Sequence, residues 1–195
     1  MFIQIEETPN PATQKFIPDG NVVLANGTME FKNKIQSAKK SPLAMQLFEI
    51  SGVEAVFLGH DFITITKSGN ANWQYLVPEI QAVIMDFFVS KRPIIFEDLA
   101  KENSEKSANQ PTEQDSEIVS QIKELIDIKV RPAVAMDGGD IIFHSFENGI
   151  VYLVLKGSCS GCPSSTVTLK NGVETMLKHY IPEVEAVEQI SEDDL

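Results

Sequence analysis

The sequence predicts an α+β protein made of two small mixed α/β domains joined by a polar, flexible linker. Three observations predict it. From Ala100 to Ser116 the chain reads AKENSEKSANQPTEQDS, with no apolar residue but alanine, so that segment has nothing to bury and reads as a linker. On both sides of it, strand-like stretches are interleaved with stretches whose apolar residues repeat at helical spacing. Each flank is also near the lower size limit for an independent core. The expected boundaries are a first domain over 1–98, a linker over 99–116, a second domain over 117–190 and an acidic, frayed tail, SEDDL, over 191–195.

In the first domain MFIQIEE alternates like a strand. SPLAMQLFEI opens a helix, with Ser41 as the N-cap and Pro42 at the first helical position, where its missing N–H costs nothing. VEAVFLGHDFITITK gives two strands around a Gly59-His60-Asp61 turn. From Pro78, the residues Ile80, Val83, Ile84, Phe87 and Phe88 repeat at helical spacing until Pro93 ends the helix. Trp73 is expected as a packing anchor just ahead of it. No chemistry is evident in this half.

The second domain opens with a helix whose stripe is Ile118, Ile122, Leu125 and Ile126, and Arg131-Pro132 should kink or restart it. Asp137-Gly138-Gly139-Asp140 reads as a turn by composition. IIFHSFENGIVYLVLKG reads as a hairpin folded at Asn148-Gly149. The stretch GSCSGCPSS follows, then a helix carrying Leu169, Val173, Met176, Leu177 and Tyr180 on one face, and a short strand at VEAVEQI. Met136 and Met176 are expected in the core.

Composition limits the function. A net charge of -12 argues against a nucleic-acid partner, which would need clustered Lys and Arg, and against an anionic membrane surface. No apolar run is long enough to span a bilayer; the best candidate, IQAVIMDFFV, is broken by Gln81 and Asp86. MFIQIEETPNPATQKF has neither a basic-then-apolar leader nor an Arg-rich transit pattern. The expected location is therefore the bacterial cytoplasm, or the mitochondrial matrix if the chain is a mature processed form. Two cysteines three residues apart suggest a reducing compartment and a pair that binds metal or does redox chemistry.

Those cysteines, Cys159 and Cys162, carry the chemistry. Pro163 suits the first helical position, which makes Cys162 the expected N-cap and sets both sulfurs at the positive end of a helix, where thiolate is favoured and the N–H groups of Ser164 and Ser165 can point at sulfur. Gly157 and Gly161 let the backbone turn and approach a bulky ligand. Three uses compete. A CxxC thiol-disulfide oxidoreductase also places its cysteines between strand and helix, but only 33 residues follow Cys162 and no aromatic precedes Cys159. A structural zinc-bridged dimer and an iron-sulfur site each need four ligands where one chain has two thiols, so two chains related by a two-fold axis would complete either. Serine at either cysteine is expected to cost little stability.

The remaining candidates have plainer explanations. Asp137 and Asp140 could be metal ligands or an acid-base pair, yet two glycines between aspartates more often make a tight turn with side-chain hydrogen bonds to backbone. His60, His144 and His179 lack a second ligand at metal spacing. Ser164, Ser165 and Thr166 read as first-turn caps rather than nucleophiles, since no histidine lies nearby in sequence.

RPAVAMDGGDI together with GIVYLVLKGSCSGCPSSTVTLKNGVETMLKHYIPEVEAV resembles the C-terminal domain of NifU-type proteins over residues 116 to 190. EETPNPATQKFIP and SPLAMQLFEISGVEAVFLGHDFITITK resemble the N-terminal domain of Nfu-type iron-sulfur cluster carriers. The resemblance implies a non-enzymatic iron-sulfur cluster assembly and carrier protein. It further implies a 4Fe-4S cluster shared between two chains through Cys159 and Cys162 of each, a homodimer when loaded, an upstream cluster scaffold as donor, and apo iron-sulfur enzymes as recipients.

Overall fold

The computed structural model describes residues 1–96, 116–160 and 163–190, apart from the side chains of 163–166. The tail over 191–195 and all of the expected linker except Ser116 lie outside the described residues. The fold is α+β, and the chain divides into two compact units, Met1–Lys106 and Ser107–Leu195, each with its own sheet. No helix among the described residues is long and apolar enough to cross a membrane.

The first unit is a five-stranded antiparallel sheet in the order β1 (Ile3–Glu7), β2 (Thr13–Pro18), β5 (Ile63–Lys67), β4 (Val53–Leu58), β3 (Met29–Phe31), with helices supplying the rest of its core. β1 (Ile3–Glu7) pairs with β2 (Thr13–Pro18), and the turn between them is held by Asn10, whose Oδ1 accepts the Ala12 N–H at 3.0 Å. β3 (Met29–Phe31) leads into α1 (Lys34–Lys40), N-capped by Asn33. Ser41 caps α2 (Pro42–Leu47) as expected, accepting the Ala44 N–H at 3.1 Å and donating its own hydroxyl to the Ile94 carbonyl at 2.6 Å. β4 (Val53–Leu58) and β5 (Ile63–Lys67) form the expected pair around Gly59-His60-Asp61.

α3 (Trp73–Val89) begins five residues before Pro78. Asn72 caps it through Gln74 N–H, and burial of Leu76 with partial burial of Trp73 draws the extra turn onto the core despite the hydrogen bond that Pro78 removes. Trp73 is thus the first residue of the helix rather than an anchor ahead of it, with its indole N–H donated to the Pro11 carbonyl at 3.2 Å.

In the second unit Ser116 caps α4 (Glu117–Leu125), which buries Ile122 and continues through a π-helical turn (Ile126–Val130) into α5 (Arg131–Met136). Pro132 has no N–H to offer the turn before it, so the ladder widens there, with Arg131 N–H reaching back to Ile126, and restarts. β6 (Gly139–Glu147) and β7 (Ile150–Gly157) form the expected hairpin, with Asn148 and Gly149 both left-handed at φ 50° and 79°. A single 3-10 turn (Ser158–Ser160) precedes α6 (Pro163–Tyr180), and β8 (Ala186–Gln189) lies parallel to β7. The core gathers Ile122, Ile126, Ile141, Val151, Val173 and Leu177.

Two expectations are corrected here. Met136 is 74% exposed, because it ends α5 where the helix leaves the core. Tyr180 is half-exposed at the end of α6, with the Lys129 ammonium 5.2 Å from its ring centre.

Glu174 joins α6 to β8. Its carboxylate accepts from Lys178 Nζ at 2.6 Å and from the Val187 N–H at 3.0 Å, and these bonds, Lys178 first, hold its pKa below the ordinary carboxylate value. A depressed folded-state pKa contributes stability that is present at neutral pH and lost as pH falls through the carboxylate range. The thermal midpoint of Glu174→Gln is therefore expected to lie below that of the parent at neutral pH, and the gap to close by about pH 3. A gap that persists unchanged in acid would assign it to packing.

Candidate metal centre

The cysteine turn is placed by two strands. β6 and β7 run antiparallel with Gly139 opposite Gly157, so the last residue of β7 lies beside the first of β6. Gly157 has φ 66°, a left-handed conformation that turns the chain out of the strand and that a side chain would oppose. Because β7 and β8 are parallel, α6 is the crossover between them, and the turn stands at the carboxyl end of β7 where strand passes into helix.

Hydrogen bonds tie this turn to the end of α5. The Ser158 N–H donates to the Gly138 carbonyl at 3.2 Å, and the Ser158 hydroxyl donates to the Asp137 carbonyl. Ser160 Oγ donates to the Gly157 carbonyl at 2.9 Å. Cys159 is a free thiol, 4% exposed and part of the second unit's core. Its sulfur rests against bare backbone: a Cβ on Gly139 would stand 2.9 Å from Cys159 Sγ and 2.6 Å from the Lys156 carbonyl oxygen, closer than real Cβ atoms come.

Cys162 lies outside the described residues, as do Gly161 and the side chains of Ser164, Ser165 and Thr166. The N-cap expected of Cys162 and the first-turn caps expected of the hydroxyls fall there too. Among the described residues, no group of three His, Cys, Asp or Glu side chains could hold a metal ion.

The Asp137–Asp140 stretch is a turn only in its first half. Asp137 caps the C-terminus of α5 and Gly138 takes φ 81°, but Gly139 and Asp140 already belong to β6. Asp140 is 2% exposed and makes a buried ion pair in place of the expected turn bond. Arg131 grips it with two parallel bonds, Nε to Oδ1 at 2.8 Å and Nη2 to Oδ2 at 3.0 Å, and Oδ1 also accepts the Ile141 N–H at 2.8 Å. Arg131 Nη1 reaches Asp127 at 3.1 Å. Burial works to lower the Arg131 pKa, but the hydrogen bond and charge of Asp140, followed by those of Asp127, outweigh it and raise the pKa above its ordinary value. Sequence reading missed Arg131. The available signal was a lone arginine nine residues before an aspartate that the strand pattern would bury.

The histidines make other contacts, His60 within the first unit and the other two within the second. His60 contacts the Leu24 carbonyl through Nδ1 at 2.8 Å, His144 is exposed on β6, and His179 stands edge-on to Tyr180 in the last turn of α6.

Comparison with known proteins matches both units by sequence. The family profile of the scaffold protein Nfu/NifU N-terminal region matches residues 3–91, and that of the NifU-like domain matches residues 122–188. The mitochondrial NFU1 iron-sulfur cluster scaffold homolog of Homo sapiens is 51% identical over 195 residues, which is 100% of this chain and 74% of that protein. Its namesake from Drosophila persimilis is 52% identical over 193 residues, covering 99% of this chain and 66% of its own length. Among solved structures, the solution NMR structure of a NifU-like protein from Saccharomyces cerevisiae aligns with 50% of this chain and 86% of its own, at 27% identity and a TM-score of 0.45. With both of its units matched in order and half of its residues shared with the human protein, this chain belongs to the Nfu family of iron-sulfur cluster scaffold proteins.

Proposed function

We propose that the chain holds a 4Fe-4S cluster as cargo between two copies of itself, through Cys159 and Cys162 of each, and passes it to apo iron-sulfur enzymes without catalysing a reaction of its own. The observation that carries this reading is the Cys159 side chain, 4% exposed and set over bare glycine backbone where a strand turns into a helix. Thiolates are the soft donors that iron-sulfur clusters take, four at a time, and the chain has two. A two-fold axis doubles them with no further residue type required. A site divided between chains can come apart, which suits a carrier that gives its cluster away. Cluster binding is assigned to the domain over 117–190. The donor is an upstream cluster scaffold, and the location is the mitochondrial matrix; the names of the human and fly relatives say mitochondrial.

Anaerobic reconstitution with iron and sulfide is expected to give about one 4Fe-4S cluster per two chains, with the loaded species near twice the mass of the iron-free one by light scattering. A fully loaded monomer would overturn the shared site. Zinc uptake without visible absorption would favour a structural clasp, and disulfide reductase activity in the absence of iron would favour a redox enzyme.

A further inference from the structure

We infer that Gly139 is a positioning residue for the cluster, the seat that fixes where the Cys159 thiol stands; this rests on the proposal that Cys159 is a ligand. Gly138 needs to be glycine for its backbone, at φ 81°, but Gly139 has no left-handed conformation to demand one. What Gly139 supplies is space. A Cβ there would meet Cys159 Sγ at 2.9 Å and the Lys156 carbonyl oxygen at 2.6 Å. The Lys156 oxygen belongs to a main-chain carbonyl, so the obstruction cannot swing aside as the end of a flexible side chain would. Strand and turn have to shift, and Lys156 lies only three residues before Cys159.

The described bonds around Gly139 resist that shift. Gly139 is paired opposite Gly157, and Ser158 is bonded to the carbonyls of both Asp137 and Gly138. On its other side the sulfur meets the packed core of the second unit. Interiors at native density do not yield by an ångström, so a thiol displaced from its seat moves toward solvent. Gly139 and Ser158 together therefore set both the shelter of the thiol and the direction from which it meets iron.

The test uses the full chain carrying Cys162→Ser, in which Cys159 is the remaining thiol, and reads its alkylation by iodoacetamide. Adding Gly139→Ala is expected to speed alkylation about tenfold, since a buried cysteine is inert and an exposed one is not. Ile181→Ala, a core truncation beyond the far end of α6, should lower thermal stability without a comparable rise in rate. In the chain with both cysteines, Gly139→Ala should fold yet retain only a small fraction of the wild-type cluster after challenge with a chelator. If Gly139→Ala does not fold, Ser158→Ala decides, because without adding an atom it removes the hydroxyl that bonds the Asp137 carbonyl and lies 3.7 Å from Cys159 Sγ, and it should also speed alkylation. Unchanged alkylation in the variant that folds, or a full cluster load in Gly139→Ala beside an empty Cys159→Ser, overturns the role of Gly139. A full load in Cys159→Ser instead overturns the ligand assignment and leaves the alkylation result to be read by itself.

Discussion

Cys162→Ser is expected to lose essentially all cluster while the iron-free chain keeps its fold. Serine carries an oxygen that can take the N-cap role expected of Cys162 ahead of Pro163, so the change in folding free energy should stay within about 1 kcal/mol. The same change takes one soft thiolate from each chain and leaves two of four, beside a hydroxyl poorly matched to iron-sulfur chemistry. Visible absorption and bound iron measured after reconstitution should both collapse. A wild-type load on Cys162→Ser would remove the four-thiolate site altogether.

Cys159→Ser should lose the cluster equally but not fold equally well, and here the structure revises the expectation that the two cysteines behave alike. Cys159 is 4% exposed and part of the second unit's apolar core, with the Ser158 hydroxyl 3.7 Å from its sulfur, so serine buries a hydroxyl in its place, at a cost of about 1–3 kcal/mol where its bonds are not all made. The sequence shows two thiols in one motif. It does not show that one of them doubles as a core residue, because that follows from the pairing of Gly139 with Gly157, a contact made across the hairpin.

What could be read beforehand was local. Ser41-Pro42, Asn148-Gly149 and the helical stripes at Ile122 and Ile126 and at Val173 and Leu177 declare themselves through backbone preference and spacing alone. What could not be read depends on partners distant in the chain. β3 is three residues long and exists by pairing with β4, and α1, KIQSAKK, buries only Ser37, so neither has a pattern of its own. Met136 looked apolar enough for the core and lies outside it because α5 ends there. At the site, glycine composition suggested a turn through Asp140, whereas burial of the strand makes that aspartate one half of an ion pair.

That ion pair carries the largest expected effect on stability. Arg131 and Asp140 are joined by two parallel charge-assisted bonds, with the carboxylate side chain only 2% exposed. Removing one partner of a buried pair strands the other charge away from water, which costs about 3–5 kcal/mol. A unit of this size has a total stability of only about 4–11 kcal/mol, so Arg131→Ala should bring the second unit close to unfolding. Trp73 is the chain's single tryptophan and lies in the first unit, so its fluorescence should still report an unchanged urea midpoint while circular dichroism shows an early transition. Adding Asp140→Asn to an Arg131→Met chain should restore part of the loss, because the amide removes the stranded charge and its oxygen can still accept the Ile141 N–H. A loss below about 1 kcal/mol in Arg131→Ala would mean that water reaches the Asp140 carboxylate as it does in an exposed pair. The consequence extends to the cysteines: Asp140 follows Gly139 directly in β6, so the pair that anchors the start of this strand also anchors the seat of the Cys159 thiol.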